Sequence, residues 1–249
     1  MLVLGAVLSG AIGHSEEPAP PPVLVRAATP LPGAATLHAP VAKIVATPSA
    51  AQQTGDARRF QGATQSHISR AWMAGFYPIY STAQKTFGVN WLLLASIHMQ
   101  ESAFSTARGI YHGLNFAGCC GGPMQFNVTN GPVSTWDMVA DSYLYGSRPA
   151  AYDHMTTVHP SIYDDFDSIM AGAHLLSADG ASLALDGSAW NAAYDYYGHD
   201  ATGILYADQV LGRAIGWSQH GFCINCGVDS SLVAAVHAAY GAPVAAAGR

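Results

Sequence analysis

Across 249 residues half the side chains are hydrophobic and only 10% are charged, against about 25% in an ordinary soluble domain. The net charge is -6 and no basic run exceeds Arg58-Arg59, which argues against a nucleic-acid partner. With lysine only at positions 43 and 85, the surface is left largely to hydroxyl, amide, imidazole and phenol groups, a composition suited to neutral, hydroxyl-rich ligands.

The chain opens with an apolar segment, Met1 to Ile12, which turns polar at His14-Ser15-Glu16-Glu17. Residues 1–16 are similar to the apolar core of a secretory signal and too short to span a membrane comfortably, although no Lys or Arg precedes them. Residues 17–54 are Pro- and Ala-rich, with eight of the 14 prolines between Pro18 and Pro48 and no amphipathic period. That composition predicts an extended, flexible linker. The signal-like segment and the four cysteines together make the chain read as exported, extracellular or in the cell envelope, and able to be tethered to membrane or wall through its N-terminal segment.

Dense, aromatic-containing sequence fills residues 55–222 and reads as one mainly α-helical domain. Helices are expected over Ile68 to Phe87 with a break at Pro78, Asn90 to Glu101, Phe166 to Leu176, Ser188 to Tyr197 and Leu205 to Ile215. Long loops over Ser105 to Gly122 and Tyr145 to Ser161 are expected to wall a cleft. Residues 223–249 form a cysteine-containing, Ala-rich tail, with one short helix or none expected over Ser230 to Arg249.

The helix expected from Asn90 ends in the most informative segment of the chain. Its apolar run Trp91 to Ile97 ends in His98-Met99-Gln100-Glu101-Ser102-Ala103-Phe104, and Glu101 is the only acidic residue between Asp56 and Asp137. Desolvation and the negative end of the helix dipole both raise the pKa of a carboxyl placed there, which suits a general acid. A solvated glutamate at a helix end is the simpler reading of this feature taken alone. Two further blocks follow: Gly121-Gly122-Pro123-Met124-Gln125-Phe126 with Ser134-Thr135-Trp136, then Ala192-Ala193-Tyr194-Asp195 with Tyr206-Ala207-Asp208-Gln209-Val210-Leu211.

In this order the blocks resemble lytic transglycosylases with a lysozyme-like catalytic domain, of the soluble lytic transglycosylase type. The resemblance covers about residues 82–216. It implies a lysozyme-like helical fold and a single catalytic acid/base at Glu101, with Ser102 beside it and Gln125 bordering the glycan cleft. Tyr194 matches the tyrosine that helps hold the carboxylate, and Tyr206 matches a later tyrosine. Pro123 stands where the family has Leu and Asp195 where it has Asn, and the span from Glu101 to Gln125 is longer than usual. The implied reaction cleaves the MurNAc-GlcNAc β-1,4 bond of peptidoglycan with formation of a 1,6-anhydro ring, without a cofactor, by a monomer acting on glycan strands. A hydrolase of the same fold, similar to goose-type lysozymes, needs a second carboxylate, for which Asp164, Asp165, Asp167 and Asp195 are candidates. For Asp164 and Asp165, capping and dipole roles at a helix start are the simpler reading. A catalytically silent wall-binding protein is the third alternative.

The aromatic residues Tyr194, Tyr196, Tyr197, Tyr206 and Trp136 could stack on sugars or pack in the core. No catalytic metal is expected: the two-histidine metal helix of zinc proteases is absent, His98 is expected to pack or hydrogen-bond near the site, and His112, His154 and His159 fall in loops. Four cysteines in an exported chain point to disulfides, and adjacent cysteines rarely pair. Two bridges are therefore expected between Cys119-Cys120 and Cys223/Cys226, clamping the Gln125 loop to the domain's C-terminal end; a four-cysteine zinc site is the alternative.

Overall fold

The computed structural model describes residues 67–129, 134–143, 145 and 154–247. The signal-like segment and the linker expected over 1–54 lie outside the described residues. Nine α-helices are described: α1 (Arg70–Ala74), α2 (Tyr77–Phe87), α3 (Trp91–Ser102), α4 (Thr135–Asp141), α5 (Asp165–Ala178), α6 (Gly187–Tyr197), α7 (Ala201–His220), α8 (Ser230–Val236) and α9 (Ala242–Ala247). A π-helical turn, His237–Gly241, joins α8 to α9. Two short strands, β1 (Cys120–Gly121) and β2 (Phe126–Asn127), pair antiparallel with Gly121 opposite Phe126.

Helix α3 starts where Asn90 caps it, its side chain accepting from Leu92 N–H at 2.9 Å while its amide donates to Leu183 O. Such a cap satisfies one of the backbone donors that a helix start leaves open. Every residue from Leu92 to His98 is buried, so the helix runs through the core rather than along it. Truncating one of these leucines to alanine would cost about 2–5 kcal/mol. Around α3 pack α2, α5 and α7, and α6 closes the other side of α7.

Helix boundaries follow local chemistry. The expected break near Pro78 falls earlier, at Gly75-Phe76, because Pro78 sits in the first turn of α2 where its missing N–H costs nothing. Asp164 caps α5 by accepting from Asp167 N–H at 3.1 Å. Ser134 caps α4, a helix that the periodicity did not foretell. Helix α7 extends five residues past Ile215 to His220.

The tail differs most from expectation. Residues 230–247 are continuously helical and by length and apolar composition could cross a membrane. Here they pack on α7: Val236 is fully buried, Val233 approaches Gly212, and His237 Nδ1 meets Asp208 at 2.7 Å. Asp208 also accepts from the Trp190 indole at 2.8 Å, so one buried carboxylate joins α6, α7 and the π turn. The hydrogen bond to Asp208 raises the His237 pKa above its ordinary value.

A candidate active site at the end of helix α3

Glu101 is the penultimate residue of α3 and is half-buried. Burial pushes its carboxyl from the usual 4.5 up to about 8, against the lowering effect of the hydroxyl that Tyr206 donates to it from α7. Both Tyr206 and Tyr196 are held well above the ordinary phenol range by burial, with the nearby Glu101 adding to it, so both keep their protons. Glu101 is therefore an acid that still carries its proton at neutral pH, in contact with a neutral donor.

The residue before it is fixed as firmly. Arg213 donates to Gln100 Oε1 at 2.7 Å and to Ser96 O and Oγ at 3.1 Å, bracing α7 against the last two turns of α3. Burial lowers the guanidinium pKa to about 10.

After Ser102 the chain takes three consecutive left-handed residues, Ala103 (φ 48°), Phe104 (φ 55°) and Ser105 (φ 62°). Outside glycine this conformation costs about 1–2 kcal/mol per residue. All three are buried, and Trp72 donates its indole N–H to Phe104 O at 2.7 Å.

The Gly-Gly-Pro-Met-Gln loop lies between β1 and β2 and is anchored from three helices. Ser102 Oγ–H donates to Pro123 O at 2.6 Å, Met124 N–H donates to Ser168 Oγ at 3.2 Å, and Tyr196 O–H donates to Met124 O at 2.6 Å. Met124 is fully buried and presses on α5 at Gly172, where a Cβ would come within 2.7 Å of its Cε. Gly122 (φ 75°) passes so close to Ile162 O that a Cβ would sit 1.8 Å away. Gln125 (φ 49°) is half-buried and donates from its amide to Gly122 O at 2.9 Å.

The structure redistributes several expected roles. Ser102, expected beside the acid/base, is only 1% exposed and ties the loop to α3. Tyr194, expected to hold the carboxylate, stacks on Trp190 (5.1 Å between centroids) and on His199 (4.8 Å); Tyr206 holds Glu101 in its place. The helical period explains this, since Tyr194 faces Trp190 four residues back along α6. Tyr196, one of several candidate stacking rings, is a loop anchor, a role that no local signal announces. Tyr197 is 39% exposed, with its ring 4.8 Å from that of Tyr206, and Trp136 is half-buried beside Phe126.

The disulfide expectation is corrected. Cys119 pairs with Cys120 and Cys223 with Cys226, so neither bridge links the loop to the C-terminal end and no cysteine is left for a zinc site. A turn at Ile224-Asn225 brings Cys223 and Cys226 to 5.5 Å between Cα atoms, within the range a disulfide spans. The clamp on the Gln125 loop is made by Ser102, Ser168 and Tyr196.

The candidate second carboxylates are occupied elsewhere. Asp164, Asp165 and Asp167 are fully buried around the first turn of α5. Asp164 accepts from Thr156 N–H at 2.8 Å, and Asp167 accepts from Tyr143 O–H and Ser161 N–H and meets His159 Nδ1 at 2.8 Å. Among the described residues, His159, Asp164 and Asp167 form a group of metal-type donor atoms within 4.8 Å of one another. Capping and loop closure account for that convergence. Asp195 is exposed and paired with His199. His98, expected to hydrogen-bond near the site, does so from full burial. His154 and His159, expected as solvated loop residues, instead lie against the carboxylates of α5. Comparison with known proteins finds no matching family model, no matching curated protein and no matching solved structure.

Proposed function

We propose that this chain is an exported lytic transglycosylase with a lysozyme-like fold, cleaving the MurNAc-GlcNAc β-1,4 bond of peptidoglycan with Glu101 as its one acid/base. A single observation carries the reading: Glu101, held protonated to about 8 by burial, contacts the Tyr206 hydroxyl at the helix end that Ser102 ties to the Gly-Pro-Met-Gln loop. The order and chemistry of the three sequence blocks support it.

In the proposed reaction, Glu101 donates its proton to the glycosidic oxygen as the bond from that oxygen to the muramic anomeric carbon breaks. The resulting carboxylate accepts the proton of the muramic 6-hydroxyl while that oxygen bonds to the same carbon. The 1,6-anhydro ring closes, no water is consumed, and Glu101 ends protonated as it began. The attacking hydroxyl belongs to the substrate, so proximity replaces a second protein carboxylate. The engagement of Asp164, Asp165 and Asp167 around the start of α5 favours this over a two-carboxylate hydrolase. Tyr206 would steady the carboxylate through both proton transfers, and the exposed Tyr197 ring offers a face for a sugar.

The test is mass spectrometry of the soluble products from purified peptidoglycan treated with the wild type and with Glu101→Gln. Anhydro-muropeptides, lighter than the hydrated products by one water and absent with the variant, are the expected result. Ordinary reducing ends would make the chain a hydrolase. Wall binding without any product would make it a silent glycan-binding protein.

A further inference from the structure

We infer that His98 and Ser105 are positioning residues for Glu101, acting through a one-directional chain of hydrogen bonds that holds the left-handed turn after helix α3. The inference rests on the proposed role of Glu101 and concerns how that group is kept in place.

The direction of the chain follows from its end. Ser105 Oγ lies 2.8 Å from Asp165 Oδ1, and a carboxylate only accepts, so the Ser105 hydroxyl proton points at Asp165. Ser105 Oγ must then accept from His98 Nε2, 2.7 Å away, which places the imidazole proton on Nε2. Nδ1 is left as an acceptor, and the Tyr80 hydroxyl, 2.7 Å from it, donates. Each proton thus points the same way, from Tyr80 through His98 and Ser105 to Asp165. Every member is buried: Tyr80 is 1% exposed, Ser105 3%, His98 and Asp165 0%. Burial keeps the imidazole neutral by lowering its pKa to about 3, and it raises Tyr80 well above the phenol range with Asp165 contributing. A neutral His98 with one fixed tautomer is what the chain requires.

The same serine starts a second chain. Its N–H donates to Ser102 Oγ at 3.0 Å, and the Ser102 hydroxyl donates to Pro123 O. Ser105 therefore couples the start of α5, the end of α3 and the Gly-Pro-Met-Gln loop. Glu101 sits between His98 and Ser102 in sequence, so both chains fix the segment that aims its carboxyl. Three adjacent left-handed residues do not persist unless their surroundings over-determine them, and these two chains supply that determination.

The experiment reads Glu101 directly. The carboxyl carbon of Glu101 is titrated by NMR in the wild type, Ser105→Ala and Ser105→Gly, with kcat, KM and melting temperature measured in parallel. In the wild type the midpoint is expected near 8. Both variants should lower it by about one unit or more as the carboxyl gains water, and lower kcat about tenfold to a hundredfold with KM nearly unchanged. Glycine tolerates the left-handed turn, so wild-type behaviour of Ser105→Gly would overturn the inference by showing that the turn holds Glu101 without the Ser105 hydroxyl. An unmoved Glu101 midpoint in both variants, with only the melting temperature lowered, would overturn it too. Should these variants fail to fold, Tyr80→Phe removes the first donor alone and is read the same way: a lowered midpoint supports the inference and an unmoved one overturns it. Should the wild type release no glycan product while the midpoint shifts as expected, the transglycosylase reading falls and the positioning of Glu101 stands.

Discussion

Two buried acidic regions lie at opposite kinds of helix end, and their contrast separates scaffold from chemistry. Around the first turn of α5, Asp164, Asp165 and Asp167 receive backbone and hydroxyl donors from Thr156, Ser105, Tyr111, Ser161 and Tyr143. The helix N-terminus adds its partial positive charge. At the end of α3, Glu101 meets one neutral donor and the unfavourable pole of its helix. At Glu101 burial outweighs the single hydrogen bond and the carboxyl keeps a proton to give away, whereas the acids around the start of α5 are engaged by donors that cap the helix and close its loops.

The comparison can be broken most severely at Glu101 itself. Under the proposed reaction, Glu101→Gln should reduce glycan cleavage by about 10²–10⁴-fold with a fully folded protein, measured by product release and circular dichroism. The same variant should alter the pH dependence of stability. Folded Glu101 titrates near 8 and the unfolded group near 4.5, so the native state holds an extra proton between those values. Stability should fall as pH rises through that window, by at most about 1.4 kcal/mol per unit, and the substitution should remove this contribution in denaturant titrations.

At the other pole, Asp167→Ala should cost about 3 kcal/mol of stability, because it strands donors from Tyr143, Ser161 and His159. Its kcat should hold at temperatures where it stays folded; a kcat loss as large as that of Glu101→Gln would erase the division between the regions. Tyr206→Phe sharpens the division. Since the Tyr206 hydrogen bond lowers the Glu101 pKa, its loss should raise that pKa above about 8 and move the alkaline limb of the kcat/KM profile upward, with an activity loss of about tenfold. The smallest effect is expected from His159→Ala, about 1 kcal/mol by thermal or chemical unfolding, because this ring is partly exposed and Asp167 keeps its other donors.

The two regions were not equally legible in the sequence. Glu101 stood out because one charge closed an apolar run, and Asn90 marked the start of α3 as a capping side chain directly before that run. Asp164 could be read as a cap for the same local reason. What pairs across long separations could not be read this way. Tyr194 and Tyr206 both offered a hydroxyl, and the choice of Tyr206 depends on how α7 lies against α3. Tyr196 reaches Met124 across 72 residues, a contact that leaves no periodic trace. The cysteines misled because a general rarity, pairing of neighbours, was weighed without knowledge of the turn that joins Cys223 to Cys226. The tail looked featureless since alanine carries little pattern, yet the small residues Gly212 and Gly216 of α7 are what let Val233 and Leu232 approach.

Helix α7 carries Tyr206 toward the glutamate and, two residues on, Asp208 toward the tail. That arrangement sets an order of assembly. A nascent chain that has reached only residue 229 has made every helix around Glu101 but still lacks His237, the partner of Asp208, and Val236, which seals the same face. The helix that presents Tyr206 to Glu101 is therefore packed on its far face by the segment 230–247. A chain ending at residue 229 would leave the face of α7 that Val236 covers open to water and Asp208 without His237.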